Sequence, residues 1–402
     1  MSTNKMNRRN WLKSGALMAG GLSLGTSFKH NFAHASNEVA AQLYALPKEE
    51  VGNMVLARPE MKARLLANEN PFGPCKKAKE ALIAEIDTSF RYGFEKKGEF
   101  AKMIASDFGL PKMEERGWGG SRPSQVMLGA GSTELLLAAS VVYGQNGGRI
   151  LSAEPTYMSL VRTAQNVGAE WDTVPLTQDY KHDLNALADA VSDEHSLVYI
   201  CNPNNPTGTS VDPDELRDFC KVVSKKKPIF IDEAYIDYTP DPVKYSMADL
   251  VAEGYNVIVT RTFSKLHAFA GLRIGYTMAQ PEAIAEMSKF SNGDGNISSP
   301  SMAAAVESYK DKAYHQYARE MNDKSKKFLY KTLEDAGYEY IPSDTNFVLF
   351  PVRLDSKRFQ GEMMKRGVGV RSWSFGNQEW CRVSIGTMED MQYFAEAFNE
   401  IS

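Results

Sequence analysis

Two hydrophobic periodicities take turns along the chain between residues 75 and 290. Segments with apolar residues at helical spacing, such as KKAKEALIAEI (76–86) and STELLLAASVVYG (132–144), alternate with short continuous apolar runs. Those runs are QVMLG (125–129), RILSA (149–153), SLVYIC (196–201), PIFIDEA (228–234) and NVIVTRT (256–262). Short apolar runs bounded by turn residues predict buried strands, and helical segments between them predict right-handed βαβ units in a mostly parallel sheet. The glycine- and asparagine-rich SNGDGNISSPS (291–301) breaks the pattern. Beyond it come one long charged helical stretch (301–337) and the strand-like TNFVLFPV, GVGVRSW and WCRVSIGT. The expected organisation is an N-terminal arm over 36–74, a large α/β domain over 75–292 and a smaller α+β domain over 293–402. The stretch EERGWGGSRPSQ (114–125) predicts a loop.

The first 35 residues follow a different grammar. Arg8 and Arg9 form a pair, Trp11-Leu12-Lys13 follows, then a Gly/Ala/Leu-rich apolar stretch, then Ala33-His34-Ala35. A basic start, a short apolar run and a small-x-small site, in that order, predict an export signal cleaved after Ala35. The apolar run is too short and too rich in glycine for a comfortable membrane span. The arginine pair with its flanking aromatic resembles a twin-arginine signal, which implies export of the folded protein to the periplasm. Cleavage would take the formal charge from −4 to −9, because residues 1–35 hold five Lys or Arg and no acid. Neither value points to a nucleic-acid partner. Cys75, Cys201, Cys220 and Cys381 have no metal-ligand spacing; an oxidising periplasm would permit disulfides, whose pairing the sequence does not give, while the apolar runs beside Cys201 and Cys381 favour buried free thiols.

Five short stretches fall at or just beyond the C-terminal ends of the expected strands, where open α/β sheets bind ligands. In GAGSTELLLAAS (129–140) a glycine turn opens a helix; Ser132 or Thr133 can cap it, and its free N–H groups favour a phosphate. A plain capped helix would carry the same letters. CNPNNPTG (201–208) packs three Asn and two Pro into a turn that can aim an amide such as Asn205. In IFIDEAYIDY (229–238) a strand runs into Asp232, a buried carboxylate that is costly without a cationic partner, with the Tyr235 phenol nearby. Tyr157 in SAEPTYMSL can stack on a planar ligand or sit in the core. Lys265, behind Ser264 in RTFSKLHAFAGLRIGY (261–276), stands at a strand end, with Arg273 eight residues on. A desolvated lysine near other cations becomes nucleophilic, and an arginine fork suits a phosphate. One ligand satisfies all five: a ring with a cationic nitrogen and a phenolic oxygen, carrying an aldehyde and a phosphate arm, as in pyridoxal 5′-phosphate.

LLANENPFGP (65–74), GAGSTELL, PTY, NPNNPTG, DEAY, FSKLHAFAGLRIGY and CRVSIGT, in this order, resemble the fold-type I aminotransferases, most of all the histidinol-phosphate aminotransferase branch. The resemblance implies an aspartate-aminotransferase-like α/β fold with a smaller C-terminal α+β domain, and a homodimer. It implies that Lys265 bonds the cofactor aldehyde and later shuttles the substrate proton. Asp232 pairs with the ring nitrogen, Asn205 and Tyr235 donate to the ring oxygen, and Tyr157 stacks on the ring. Ser132, Thr133, Ser264 and Arg273 hold the phosphate, helped by Thr262 and by Tyr92 of a neighbouring subunit. Asn70 lines the entrance, Arg382 takes the substrate carboxylate, and Arg371 takes a second anion. The expected partners are an amino donor and a 2-oxo acid. Thr133 stands where that branch has Asp, and RYGF (91–94) stands where it has RYP. A decarboxylase or a carbon–sulfur β-lyase would keep Lys265 and Asp232, and a binding protein could keep the fold alone.

Overall fold

The computed structural model describes residues 61–402 apart from 117–119. The expected export signal therefore lies outside the described residues. The strands are β1 (Ala63–Arg64), β2 (Met113–Arg116), β3 (Gly120–Pro123), β4 (Val126–Gly129), β5 (Arg149–Glu154), β6 (Glu170–Pro175), β7 (Leu197–Cys201), β8 (Ile229–Asp232), β9 (Val257–Thr262), β10 (Gly275–Met278), β11 (Phe347–Pro351), β12 (Val368–Gly369), β13 (Arg371–Phe375) and β14 (Gln378–Ser384). The helices are α1 (Lys76–Glu85), α2 (Phe94–Asp107), α3 (Ser132–Gly144), α4 (Ser159–Asn166), α5 (Leu184–Ala190), α6 (Pro213–Val223), α7 (Ala248–Ala252), α8 (Pro281–Ser288), α9 (Ser299–Lys310), α10 (Lys312–Asp335), α11 (Ser356–Lys365) and α12 (Met388–Asn399).

Seven strands form the central sheet in the order β4-β10-β9-β8-β7-β5-β6. β5 to β9 and β6 pair in parallel, and only β10 runs against its neighbours β4 and β9. The continuous apolar runs follow from burial on both faces. Val198, Ile200, Ile229, Ile231, Val257 and Val259 face one core, with Phe100, Leu216 and Met302. Leu197, Tyr199, Cys201, Phe230 and Ile258 face the other, with Leu135, Leu160 and Met287. A separate core holds the three-stranded antiparallel sheet β11-β14-β13 against α10, α11 and α12.

Three features differ from the sequence expectation. The single long helix over 301–337 is two, because Asp311 ends α9 with a non-helical backbone and its carboxylate accepts the Tyr314 N–H to start α10. The first of them packs with the large sheet, since Met302, Ala304, Ala305 and Tyr309 join its core, and the change of core falls along α10. The expected loop at 114–125 contains the antiparallel ladder β2–β3, in which Met113 faces Pro123 and Arg116 faces Gly120. Its glycine cluster reads as a loop, yet the backbone on either side still pairs. The described start of the expected N-terminal arm, residues 61–65, belongs to the smaller core: β1 pairs in parallel with β12, and Ala63 and Leu65 are buried there.

Candidate active site

A cavity of about 580 Å³ opens at the C-terminal ends of β7, β8 and β9 and the start of α3. Its walls include Ser132, Thr133, Tyr157, Asn205, Asp232, Tyr235, Thr262, Ser264, Lys265, Arg273, Arg371 and Arg382. Twelve of the fourteen residues singled out from sequence thus meet around one space. Tyr92 and Asn70 do not line it. Tyr92 is 76% exposed and stacks on Phe94. Asn70 is buried, its Nδ2 donating to the Leu266 carbonyl (2.7 Å) and the Tyr314 hydroxyl (3.2 Å). Its amide is spent on holding the chain next to Lys265, so its placement corrects the expectation of a residue lining the entrance.

The ammonium of Lys265 donates to the carbonyl of Asn68 at 3.1 Å. Burial, and then the guanidinium of Arg382, lowers its pKa from the usual lysine value to about 8. Asp232 lies at the end of β8 and is 1% exposed. Its Oδ1 accepts from the Ala234 N–H (3.1 Å) and its Oδ2 from the Tyr199 hydroxyl (3.4 Å). No ion pair joins it to a cationic side chain among the described residues, and burial raises its pKa to about 7. A carboxylate so enclosed is a strong acceptor for a cationic N–H.

The Tyr235 hydroxyl accepts from Asn68 Nδ2 at 2.9 Å and lies 3.4 Å from Asn205 Nδ2, which leaves its own proton to donate into the cavity. Asn205 Oδ1 accepts from Arg382 at 2.6 Å, so the small-domain arginine and the large-domain turn are tied together. Arg382 is 5% exposed and sits over the rings of Phe347 and Trp373. Burial, and then Tyr235, Arg371 and other neighbours acting in both directions, leave its pKa lowered to about 10, still cationic at neutral pH. Its Nε is enclosed and has no protein partner, while its terminal nitrogens donate to Asn205 Oδ1 and to the Leu66 carbonyl (3.3 Å).

Ser132 and Thr133 do not cap α3, contrary to the expectation. The N-cap is Gly131 at φ +77°, with no side-chain cap, and Glu134 reaches back to accept the Ala130 N–H at 2.6 Å. Both hydroxyls are thereby left facing the cavity. Arg273 adopts a left-handed backbone (φ +58°), and its guanidinium donates to Ser264 Oγ (3.2 Å), Ala270 O (3.0 Å) and Ala130 O (3.3 Å). A Cβ on Gly131 would run into that guanidinium, so the glycine keeps the cradle open. Thr262 Oγ1 braces Ser264 by accepting its N–H at 3.2 Å. Hydroxyls, a helix N-terminus and an arginine fork make a phosphate cradle. With an unpaired buried carboxylate on one side and a lysine of lowered pKa on the other, these residues fit pyridoxal phosphate.

Sequence reasoning passed over Asn68, Glu69, Arg162 and Tyr199. Asn68 lines the cavity, takes a positive φ of 54° and is bonded to Tyr235, Ser384 and Lys265. Its signal was the first asparagine of NENP, a residue type that tolerates that backbone. All four cysteines are buried and free, and Cys201 lines the cavity. No cluster of three or more potential metal ligands occurs among the described residues.

A family model described as aminotransferase class I and II matches residues 60–398. A histidinol-phosphate aminotransferase of Moorella thermoacetica is 34% identical over 357 residues, 88% of this chain and 89% of its own length. The structure of the histidinol-phosphate aminotransferase of Sinorhizobium meliloti superposes with a TM-score of 0.75 at 23% identity, covering 94% of this chain and 100% of that one. An aspartate aminotransferase of Thermus thermophilus superposes with a TM-score of 0.71 at 18% identity, covering 89% and 98%. These two structures share the fold, the aspartate-aminotransferase-like fold type I.

Proposed function

We propose, since this chain belongs to the aminotransferase class I and II family and is a pyridoxal 5′-phosphate-dependent aminotransferase, that the cavity at the ends of β7, β8 and β9 is its active site. There it moves an amino group from an amino acid, or an amine resembling histidinol phosphate, to a 2-oxo acid in two half-reactions. The single observation that carries this placement is the meeting of Lys265 and Asp232 in one cavity, each with a pKa displaced toward neutrality by burial.

The cofactor supplies an electron sink and an exchangeable aldehyde. The chain's residues do the rest. Ser132, Thr133, Ser264 and Arg273, with Thr262 behind them, would hold the phosphate. Asp232 would pair with the ring nitrogen and keep it cationic, Tyr157 would stack on the ring, and Tyr235 and Asn205 would hold its oxygen. Lys265, whose pKa is lowered to about 8 by burial, would take the proton from the substrate's α-carbon onto its Nζ and hold it there for return. Arg382 is the anchor for the substrate carboxylate, a bidentate match for its fork. Arg371, exposed on the cavity wall, takes a second anion, which favours a donor with a phosphate or carboxylate side chain.

Lys265→Ala tests the placement. The variant is expected to lose the visible absorption of the bound cofactor and its turnover, while keeping the phosphate contacts. A variant that kept the wild-type spectrum would remove Lys265 from the role.

Two further parts of the reading concern the whole protein. The assembly is a homodimer in which Tyr92 serves the neighbouring subunit's cavity. The exposure of Phe90, Tyr92 and Phe94 supports it, as a row of aromatics that a partner would cover. The arginine pair at residues 8 and 9 directs export of the folded protein to the periplasm, with cleavage after Ala35. Replacing both arginines by lysine is expected to leave uncleaved protein in the cytoplasm; continued export of that variant would refute the twin-arginine route.

A further inference from the structure

Tyr199 raises a question that packing alone does not answer. It lies in the middle of β7, fully buried among Leu197, Phe230, Ile258 and Leu135. Phenylalanine would fill that volume, and Phe230 beside it does so at 6.1 Å between ring centres. A phenol in such surroundings carries a hydroxyl that must be satisfied. Its hydroxyl finds Oδ2 of Asp232, 3.4 Å away. The register makes this possible: Cys201 is opposite Asp232 and Tyr199 is opposite Phe230, so Tyr199 approaches the carboxylate from two residues back on the same face of the sheet.

We propose that Tyr199 is a positioning residue of the active site: its hydroxyl holds Oδ2 of Asp232 while the Ala234 N–H holds Oδ1, fixing the plane and the ionised form of the carboxylate that faces the cofactor's ring nitrogen. The inference rests on the active-site placement above. One donor on each oxygen leaves the remaining acceptor positions to the cavity that Asp232 lines. A hydrogen bond to the charged form favours that form. The other groups facing Asp232 do not fix it in this way. Lys265 favours its ionisation across the cavity, Glu233 opposes it from the next position, and the Cys201 thiol and Tyr157 phenol lie near as neutral groups. Glu233 is occupied elsewhere, bonded to Arg261 (2.8 Å), Ser246 and the Met247 N–H.

The test is Tyr199→Phe in the holoenzyme, which removes one oxygen and keeps the ring. Three quantities are read: the pH titration of the bound cofactor's visible band, kcat, and KM. The expected result is a kcat about tenfold lower with KM changed less than about twofold, as for losing one hydrogen bond to a charged group that matters in the transition state. The midpoint of the visible titration moves upward, because a carboxylate that keeps its own proton more readily leaves less positive charge at the ring. Added to Asp232→Ala, the same substitution changes neither quantity further. A wild-type midpoint and kcat in Tyr199→Phe overturn the proposal. So does an equal loss in the Asp232→Ala background, which would mark the hydroxyl as acting through the core. Lys265→Ala, measured alongside, separates the two readings. If it keeps the visible band, the active-site placement fails; if it loses the band while Tyr199→Phe is unchanged, only the role of Tyr199 fails.

Discussion

At the scale of single residues the site works by displacing proton affinities. Lys265 titrates at about 8 because burial disfavours its ammonium, and the guanidiniums of Arg382 and Arg273 add repulsion while Glu69 and Asp232 oppose it. The sign sets a measurable dependence. Below that value the group is an ammonium and cannot attack a carbonyl; above it the amine is free. The rate at which apoenzyme takes up pyridoxal phosphate should therefore climb about tenfold per unit as pH rises toward 8, then level off. Arg382→Ala removes a neighbouring cation, so its midpoint should lie higher than that of the wild type. A rate that is flat from pH 6 to 9, or a midpoint near the ordinary lysine value, would contradict the account.

At the scale of elements the phosphate cradle depends on how α3 begins. Glu134, in the first turn of the helix, braces the loop ahead of it and leaves the helix's own first N–H groups free. Its Oε2 accepts the Ala130 N–H, and its Oε1 accepts from the Ser291 hydroxyl (2.8 Å) and Asn296 Nδ2 (2.7 Å). Glu134→Ala should destabilise the protein by about 1–2 kcal/mol, the order of a lost hydrogen bond to a charged group, and should weaken cofactor retention on dialysis. Equal thermal midpoint and equal retention would show that the turn holds without it. The same turn shows what the sequence could and could not say. GAGSTE announces a glycine turn into a helix, and the strand runs announce the sheet, because periodicity and turn chemistry are local. Which of three adjacent polar side chains turns back on the backbone is decided by the φ of Gly131 and by Ser291 and Asn296, more than 150 positions away in sequence. For the same reason NENP pointed to Asn70, whereas Asn68 faces the cavity: the choice is made by contacts with Tyr235, Ser384 and Leu266 that no local pattern encodes. Tyr199 was hidden differently, as one more aromatic in a core strand.

At the scale of the whole molecule the cavity is assembled from segments far apart in sequence, and the reading of Tyr92 extends that assembly to a second copy of the chain. Residues 61–69 run from the smaller core, where β1 pairs with β12, into the carbonyls that face Lys265. Arg382 crosses from β14 to Asn205. Tyr92 instead points into solvent from a turn between α1 and α2 whose aromatics are exposed, with Phe90 at 78% and Tyr92 at 76%. If each Tyr92 completes the partner's site, two damaged chains can repair one another. Consider a Lys265→Ala chain mixed with a Tyr92→Ala chain under conditions that exchange subunits. In a mixed dimer one site carries both defects. The other has Lys265 from one chain and Tyr92 from its partner, both intact. With equal amounts and random pairing, half the dimers are mixed and each has one sound site, so activity should recover to about a quarter of the wild-type value. A Tyr92 acting within its own chain gives no such recovery, because every intact lysine would still stand beside a missing tyrosine. Activity of the mixture no greater than the average of the two variants alone would place Tyr92 in its own subunit or outside the site altogether.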